Sequence, residues 1–344
     1  MKWAAVLAVG AMALTACGNT EDTSSTDDKS SVKVGLAYDI GGRGDKSFND
    51  SAAAGLDKAK NDLKVAIEEV SPNQQGTDRA DKLKGLVTAG FNPVIAVGFK
   101  YSDDVKKIAA ENPDTTFAIV DDAAATGPNI ANILFAEEQG SYLVGVAAAL
   151  KSKAKHVGFV GGVEGELIGK FEAGFVAGVK SVDPAIKIET QYLSAPPDFS
   201  GFAAPAKGKV AAKGMLDKGA DVIYHAAGLS GNGVFDAVVE ARKGGKTDTW
   251  AIGVDQDQYL TATPDQQKVI LTSMIKRVDV GVFDVIKKFN DGSKPSGATI
   301  NDLKTGGIDY ATSGGYIDDI KDKIEAAKKD IVDGKVTVPT KPGA

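Results

Sequence analysis

Five short apolar runs end in residues that could hold a small polar molecule. Asp39 follows VGLAY, Asp121 and Asp122 follow FAIV, Gly228 follows VIYHAA, Asp255 follows WAIGV and Lys276 follows LTSMI. A carboxylate only accepts hydrogen bonds and can take two from neighbouring hydroxyls, whereas a lysine ammonium donates three. Several acceptors and one strong donor brought to one edge match a polyol such as ribose. The junction DIGGRGDKSFNDSAAAGL, residues 39 to 56, adds a flat surface. Ser47 and Asp50 fit the S-x-x-[DE] capping box, which makes Phe48 and Asn49 the first two residues of a helix. A capped first turn has fewer free N–H groups to offer a phosphate, and Phe48 stands as an aromatic ring at the mouth. These residues predict an uncharged, flat ligand.

Other motifs fail. The RGD triplet in GRGDKS is a by-product of the glycine turn, and GLSGNGVF contains no intact G-x-G-x-x-G. No complete P-loop and no G-x-S-x-G elbow occurs. His156 and His225 are the only histidines, each in or beside an apolar run, which suits a core or surface role. Asp255-Gln256-Asp257 opens like a calcium loop but lacks the required glycine and closing glutamate. The candidate cleft offers carboxylates without a nucleophile, so neither an enzyme nor a cofactor or metal site is expected.

The elements that must position these residues alternate regularly. Runs at Val32 to Tyr38, Val65 to Val70, Pro93 to Val97, Phe117 to Val120, His156 to Val160, Ile186 to Tyr192, Val222 to Ala226, Trp250 to Val254 and Val269 to Ile275 read as buried parallel strands. Helical patterns separate them, the clearest placing Phe48, Ala52, Leu56, Ala59 and Leu63 on one face. A faint repeat is also present: VKVGLAYDIGG with SFNDSAAAGLDKAK is echoed by KHVGFVGGVEG with IGKFEAGFVAGVK. Repeated βα units predict an α/β fold of two doubly wound, Rossmann-like lobes with a ligand between them, beyond the carboxyl ends of the strands. SGATINDLKTGGIDYATSGGY lacks helical period and predicts short strands and turns crossing between the lobes, followed by a final helix over Asp319 to Val332.

The chain of 344 residues opens with MKWAAVLAVGAMALTAC, whose apolar run falls short of the roughly 20 residues of a membrane span. It reads as a signal peptide over residues 1–17, and LTAC resembles a lipobox with Cys17, the only cysteine, as the acylated residue. Residues 18–31 are polar and acidic and read as a disordered tether. The net charge of -6 and the absence of a basic cluster argue against nucleic acid as a partner.

Together the segments YDIGGRGDKSFNDSAAAGL, FAIVDD, FAEEQGSYLVGVAAAL, HVGFVGGV, KFEAGFVAG, PAKGKV, GADVIYHAAGLSGNGVF, AIGVDQDQ and LTSMIKRVDVGVFDVI resemble the basic membrane protein family of bacterial lipoproteins. That family is similar to the purine nucleoside receptors of ABC importers; its name sits oddly on this acidic chain. The resemblance implies a type I periplasmic-binding-protein fold, with lobes over 32–134 plus 274–305 and 135–273 plus 306–334, joined by a hinge. It implies a lipid-anchored, extracytoplasmic and monomeric receptor that delivers adenosine, guanosine or inosine to ABC permease subunits. By the same resemblance Phe48 stacks on the base, Asn49 hydrogen-bonds it, and Asp121 reads it, with Asp122 one residue away. Phe202 forms the second wall, although SAPPDFSGFAAPAKGK departs from the usual shorter pattern and keeps Phe199 in play. Gly228, Asp255 and Lys276 match the ribose-holding positions, and Asp39 sits where the family keeps an acidic residue near the ligand. A sugar receptor of the same fold, or a nucleoside-processing enzyme, are the rival readings.

Overall fold

The computed structural model describes residues 31–343; the signal segment, Cys17 and the tether up to residue 30 lie outside them. Two similar runs of alternating elements follow one another. The first comprises β1 (Lys33–Ala37), α1 (Phe48–Leu63), β2 (Ala66–Val70), α2 (Arg79–Thr88), β3 (Val94–Val97), α3 (Ser102–Glu111), β4 (Phe117–Val120) and β5 (Ile130–Phe135). After α4 (Glu137–Lys151) the second comprises β6 (His156–Val163), α5 (Glu166–Val182), β7 (Lys187–Ser194), α6 (Pro205–Asp217), β8 (Val222–Ala226), α7 (Gly231–Lys243), β9 (Trp250–Asp255), the short α8 (Pro264–Gln267) and β10 (Ile270–Lys276). The chain then returns through α9 (Val278–Asn290) and β11 (Gly297–Asn301), and crosses once more to β12 (Ile308–Tyr310) and α10 (Lys321–Val332).

These strands form two six-stranded sheets, ordered β11-β5-β4-β3-β1-β2 and β12-β10-β9-β8-β6-β7. All pairings are parallel except that of β12 with β10. Each sheet is the centre of one α/β lobe, as the alternation of elements predicts. Central strands are buried on both faces, so β3 and β4 read as unbroken apolar runs. Every run expected as a strand is one, but β2 and β7 sit at sheet edges and are partly exposed rather than buried. The IANILF run of β5 lies outside those expectations, because Asn132 interrupts its apolar character. The buried Asn132 amide donates to the carbonyls of Asp122 and Ala125 at 2.9 and 2.8 Å, tying down the turn after β4. Strand β10 stays paired in the second sheet through Lys276, so the passage expected at residue 274 falls inside it, and β5 runs on through Phe135.

Helix packing explains the glycines of the repeat. Phe48 precedes Gly55 at the same spacing as Phe171 precedes Gly178. A Cβ at Gly55 would lie 2.3 Å from the carbonyl oxygen of Asp279 in α9, and one at Gly178 would lie 2.1 Å from that of Tyr142 in α4. Each lobe thus clamps the helix that follows a crossover directly onto its own first helix. The crossovers are also bonded together: the Ala136 N–H donates to Asn301 O and the Arg277 N–H to Gly307 O, both at 2.9 Å.

Candidate functional site

The loop before α1 shows why Phe48 faces the space between the lobes. Ser47 does not cap the helix, contrary to the capping-box expectation. Asp45 does so instead: its Oδ1 accepts the N–H groups of Ser47 and Asp50 at 2.9 and 3.1 Å, and its Oδ2 accepts that of Asn49 at 2.9 Å. The carboxylate of Asp50 turns back to the N–H groups of Gly44 and Lys46. A carboxylate already fills the anion position at this helix start, which excludes a phosphate more firmly than a serine cap would. Ser47 is freed to donate to Asp255 Oδ2 in the opposite lobe at 2.5 Å. Gln256 Nε2 and Gln258 Nε2 also cross over, to the carbonyls of Ser47 and Lys46 at 2.9 and 2.8 Å.

Between the lobes lies a narrow cleft, at the carboxyl ends of the strands. Asp39, Phe48, Asn49 and Asp121 line it from the first lobe, and Phe202, Gly228, Asp255 and Lys276 from the second. Phe99, Leu167, Ile168 and Phe171 complete much of the apolar wall.

Lys276 is the centre of the site's charge. Its ammonium donates to Asp121 Oδ2 at 2.5 Å and lies 3.2 Å from Glu137 Oε1. The rings of Phe48, Phe135 and Phe171 surround it, with centroids 5.2, 5.1 and 5.5 Å away. Burial alone would depress the Lys276 ammonium, but Asp121, Glu137 and Asp255 hold it above its ordinary value. Asp121 Oδ1 is buried and has no hydrogen-bond partner, an acceptor left open toward whatever fills the cleft. Asp121 and Asp255 both hold left-handed backbone, with φ of 62° and 67°, at the ends of β4 and β9. Equivalent strand ends in the two lobes therefore present equivalent carboxylates.

Asp39 is held differently. Its Oδ1 accepts from Arg79 Nη2 at 2.9 Å within the first lobe, and its own N–H donates to Asn49 Oδ1 at 2.9 Å. Burial pushes the Asp39 carboxyl up, and the Arg79 guanidinium opposes that shift. The Asn49 amide also donates to Asp45 Oδ2 at 3.0 Å, so its best donor and acceptor serve its own loop. Asp122 turns away from the cleft: its Oδ1 accepts from Ser102 Oγ and the Ala125 N–H at 3.0 and 2.7 Å. Phe199 lines an adjoining space, where its ring meets Phe99 at 6.1 Å and carries the Lys100 ammonium at 3.8 Å. Gly228, with φ of 54°, opens the turn that leads into α7.

Sequence reasoning missed Glu137, Arg79, Asp45 and Phe171. Only Phe171 carries a signal, through the repeat that matches its spacing to Gly178 with that of Phe48 to Gly55. Among the described residues no group of side chains could hold a metal ion, and no helix is long and apolar enough to cross a membrane.

A two-lobed α/β architecture closing on an aromatic and acceptor-rich cleft is that of a solute-binding protein with the type I periplasmic-binding fold. A solved ABC-transporter solute-binding protein from Aeropyrum pernix superposes with a TM-score of 0.79 at 26% identity, covering 90% of this chain and 94% of that one. The family described as "ABC transporter substrate-binding protein PnrA-like" matches residues 32–341. The chain belongs to this Bmp family, whose members bind substrates for ABC transporters rather than transform them. It is 40% identical to a CD4+ T-cell-stimulating antigen of Listeria innocua, over 96% of this chain and 95% of that one. It is 35% identical to the ABC transporter nucleoside-binding protein BmpA of Lactococcus lactis, over 98% and 99% of the respective chains.

Proposed function

We propose that the protein captures purine nucleosides such as adenosine, guanosine and inosine in the interlobe cleft and presents them, as a monomer, to an ABC permease. The observation that carries this reading is the convergence of Phe48, Phe202, Asp121, Asp255 and Lys276 on one cleft, with aromatic rings beside one ammonium and several acceptors. Phe48 and Phe202 sandwich the base; Asp121 and Asn49 read its edge; Gly228, Asp255 and Lys276 hold the ribose; Asp39 supplies a further acceptor. The excess of carboxylates over cations disfavours phosphorylated ligands. The two lobes follow the division 32–134 plus 274–305 and 135–273 plus 306–334, with the first crossing moved to follow Phe135 and the second to follow Lys276, so that β5 and β10 stay whole. A lipid on Cys17 and the tether that follows hold this body at the outer face of the cell membrane.

Calorimetry of the refolded, ligand-stripped protein against adenosine, guanosine, inosine, cytidine, ribose and glucose tests the ligand. Binding of purine nucleosides without binding of the sugars is the expected result. Binding of a sugar alone moves the protein to the sugar-receptor reading, and release of hypoxanthine from inosine makes it an enzyme. Fatty-acid labelling that disappears in Cys17→Ser is expected for the anchor, and labelling that persists removes it.

A further inference from the structure

We infer that Glu137 is a positioning residue for ligand recognition: it holds the Lys276 ammonium ready inside the second lobe before the first lobe closes. Glu137 is 1% exposed, yet neither its sequence context nor the roles above assign it a task. It is the first residue of α4, where a carboxylate is stabilised by the free N–H groups of the helix start. Its two oxygens serve two cations. Oε1 lies 3.2 Å from Lys276 Nζ, and Oε2 accepts from Lys170 Nζ at 3.5 Å. Lys170 lies on α5, α5 packs against α4, and Lys276 ends β10 of the second sheet. All three groups therefore belong to one lobe and stay together when the lobes part.

Asp121 is the exception, because it ends β4 of the first sheet. Its bond to Lys276 forms only when the lobes meet. A lysine side chain has four rotatable bonds, and fixing it costs rotamer entropy. Without Glu137 that cost falls on the closing step, when the ammonium must be ordered for Asp121 and for the ligand at once. With Glu137 on one side and Asp121 on the other, the last N–H of the ammonium is left for a ligand hydroxyl.

This inference rests on the proposed contact between Lys276 and the sugar, and the experiment separates the two. Affinities for adenosine and adenine are measured in Glu137→Gln, Lys276→Met and the double variant. Glu137→Gln should lose about tenfold in adenosine affinity with adenine changed less than twofold, as removal of one partner of a charge-assisted bond implies. The double variant should be no weaker than Lys276→Met alone. An unchanged adenosine-to-adenine ratio in Lys276→Met overturns the sugar contact, and the inference with it. A ratio that moves in Lys276→Met but stays constant in Glu137→Gln overturns the positioning role and leaves the sugar contact standing. Glu137→Asp, which keeps the charge but withdraws it by one carbon, should give an intermediate loss and carries the same comparison if Glu137→Gln does not fold.

Discussion

Two of the buried ion pairs beside the cleft differ in what they join. Asp39 and Arg79, 2.9 Å apart, both belong to the first lobe. Asp121 and Lys276 come from opposite lobes. Breaking a buried pair by removing one partner costs about 3–5 kcal/mol, because the other charge is left without compensation. Where that cost appears depends on the connection. For Asp39 and Arg79 it falls on the folding of one lobe, open or closed. For the bond from Asp121 to Lys276 it falls on closure, since in the open form Asp121 meets water and Lys276 keeps Glu137. A pair of similar geometry thus serves stability in one place and ligand affinity in the other.

The largest expected effect tests that division. Asp121→Ala should weaken nucleoside binding by about a hundredfold or more, which corresponds to roughly 3 kcal/mol, while the urea unfolding midpoint of the ligand-free protein moves little, because Lys276 keeps Glu137 when the lobes part. Arg79→Met should do the reverse, losing about 3 kcal/mol of unfolding free energy with a smaller change in affinity. Equal losses of stability in both variants would erase the distinction between the pairs.

A smaller effect sharpens it by using groups without charge. Stacking on an aromatic contributes about 1–3 kcal/mol per base, so Phe48→Ala and Phe202→Ala should each weaken adenosine and adenine alike, by roughly tenfold or more. A loss confined to Phe199→Ala would move the second wall to the ring that now sits against Phe99 and Lys100.

The last effect concerns a group that belongs to neither pair. His225, fully buried on β8 against the edge of Phe235, is lowered to about 3 by burial. The unfolded chain therefore binds a proton that the folded one refuses between about pH 6.5 and 3. Stability should fall with acidification across that window by up to about 1.4 kcal/mol per pH unit from this group. His225→Phe should flatten the fall in urea titrations at pH 5 and 7 without altering the adenosine-to-adenine ratio. An unchanged slope would show that His225 takes up its proton in the folded state.

The strand ends were the most legible part of the site, because buried parallel strands are unbroken apolar runs and the first polar residue after each must face the cleft. The same logic hid β5, where Asn132 breaks the run to serve a turn that sequence does not show. The cap of α1 was misread for a related reason. Ser47 has the right spacing, but Lys46 with φ of 56° and Gly44 with φ of 104° fold the loop so that Asp45 reaches the N–H groups first. Glu137 was invisible because an acidic residue at a helix start already has a local explanation. Its partner Lys276 ends a strand far along the chain, and no local pattern records that distance.

The crossovers carry a mechanical consequence. One connection between two bodies acts as a swivel, and two act as the pins of a door; here three run side by side, laced at Ala136 with Asn301 and at Arg277 with Gly307. The helices that leave two of them are braced against α1 and α5 at the backbone, by Gly55 and Gly178. Twisting and sliding are resisted, and opening about a single axis is the soft motion that remains. A membrane partner would then need to gauge only one quantity, the span between a point on each lobe, to tell a loaded receptor from an empty one.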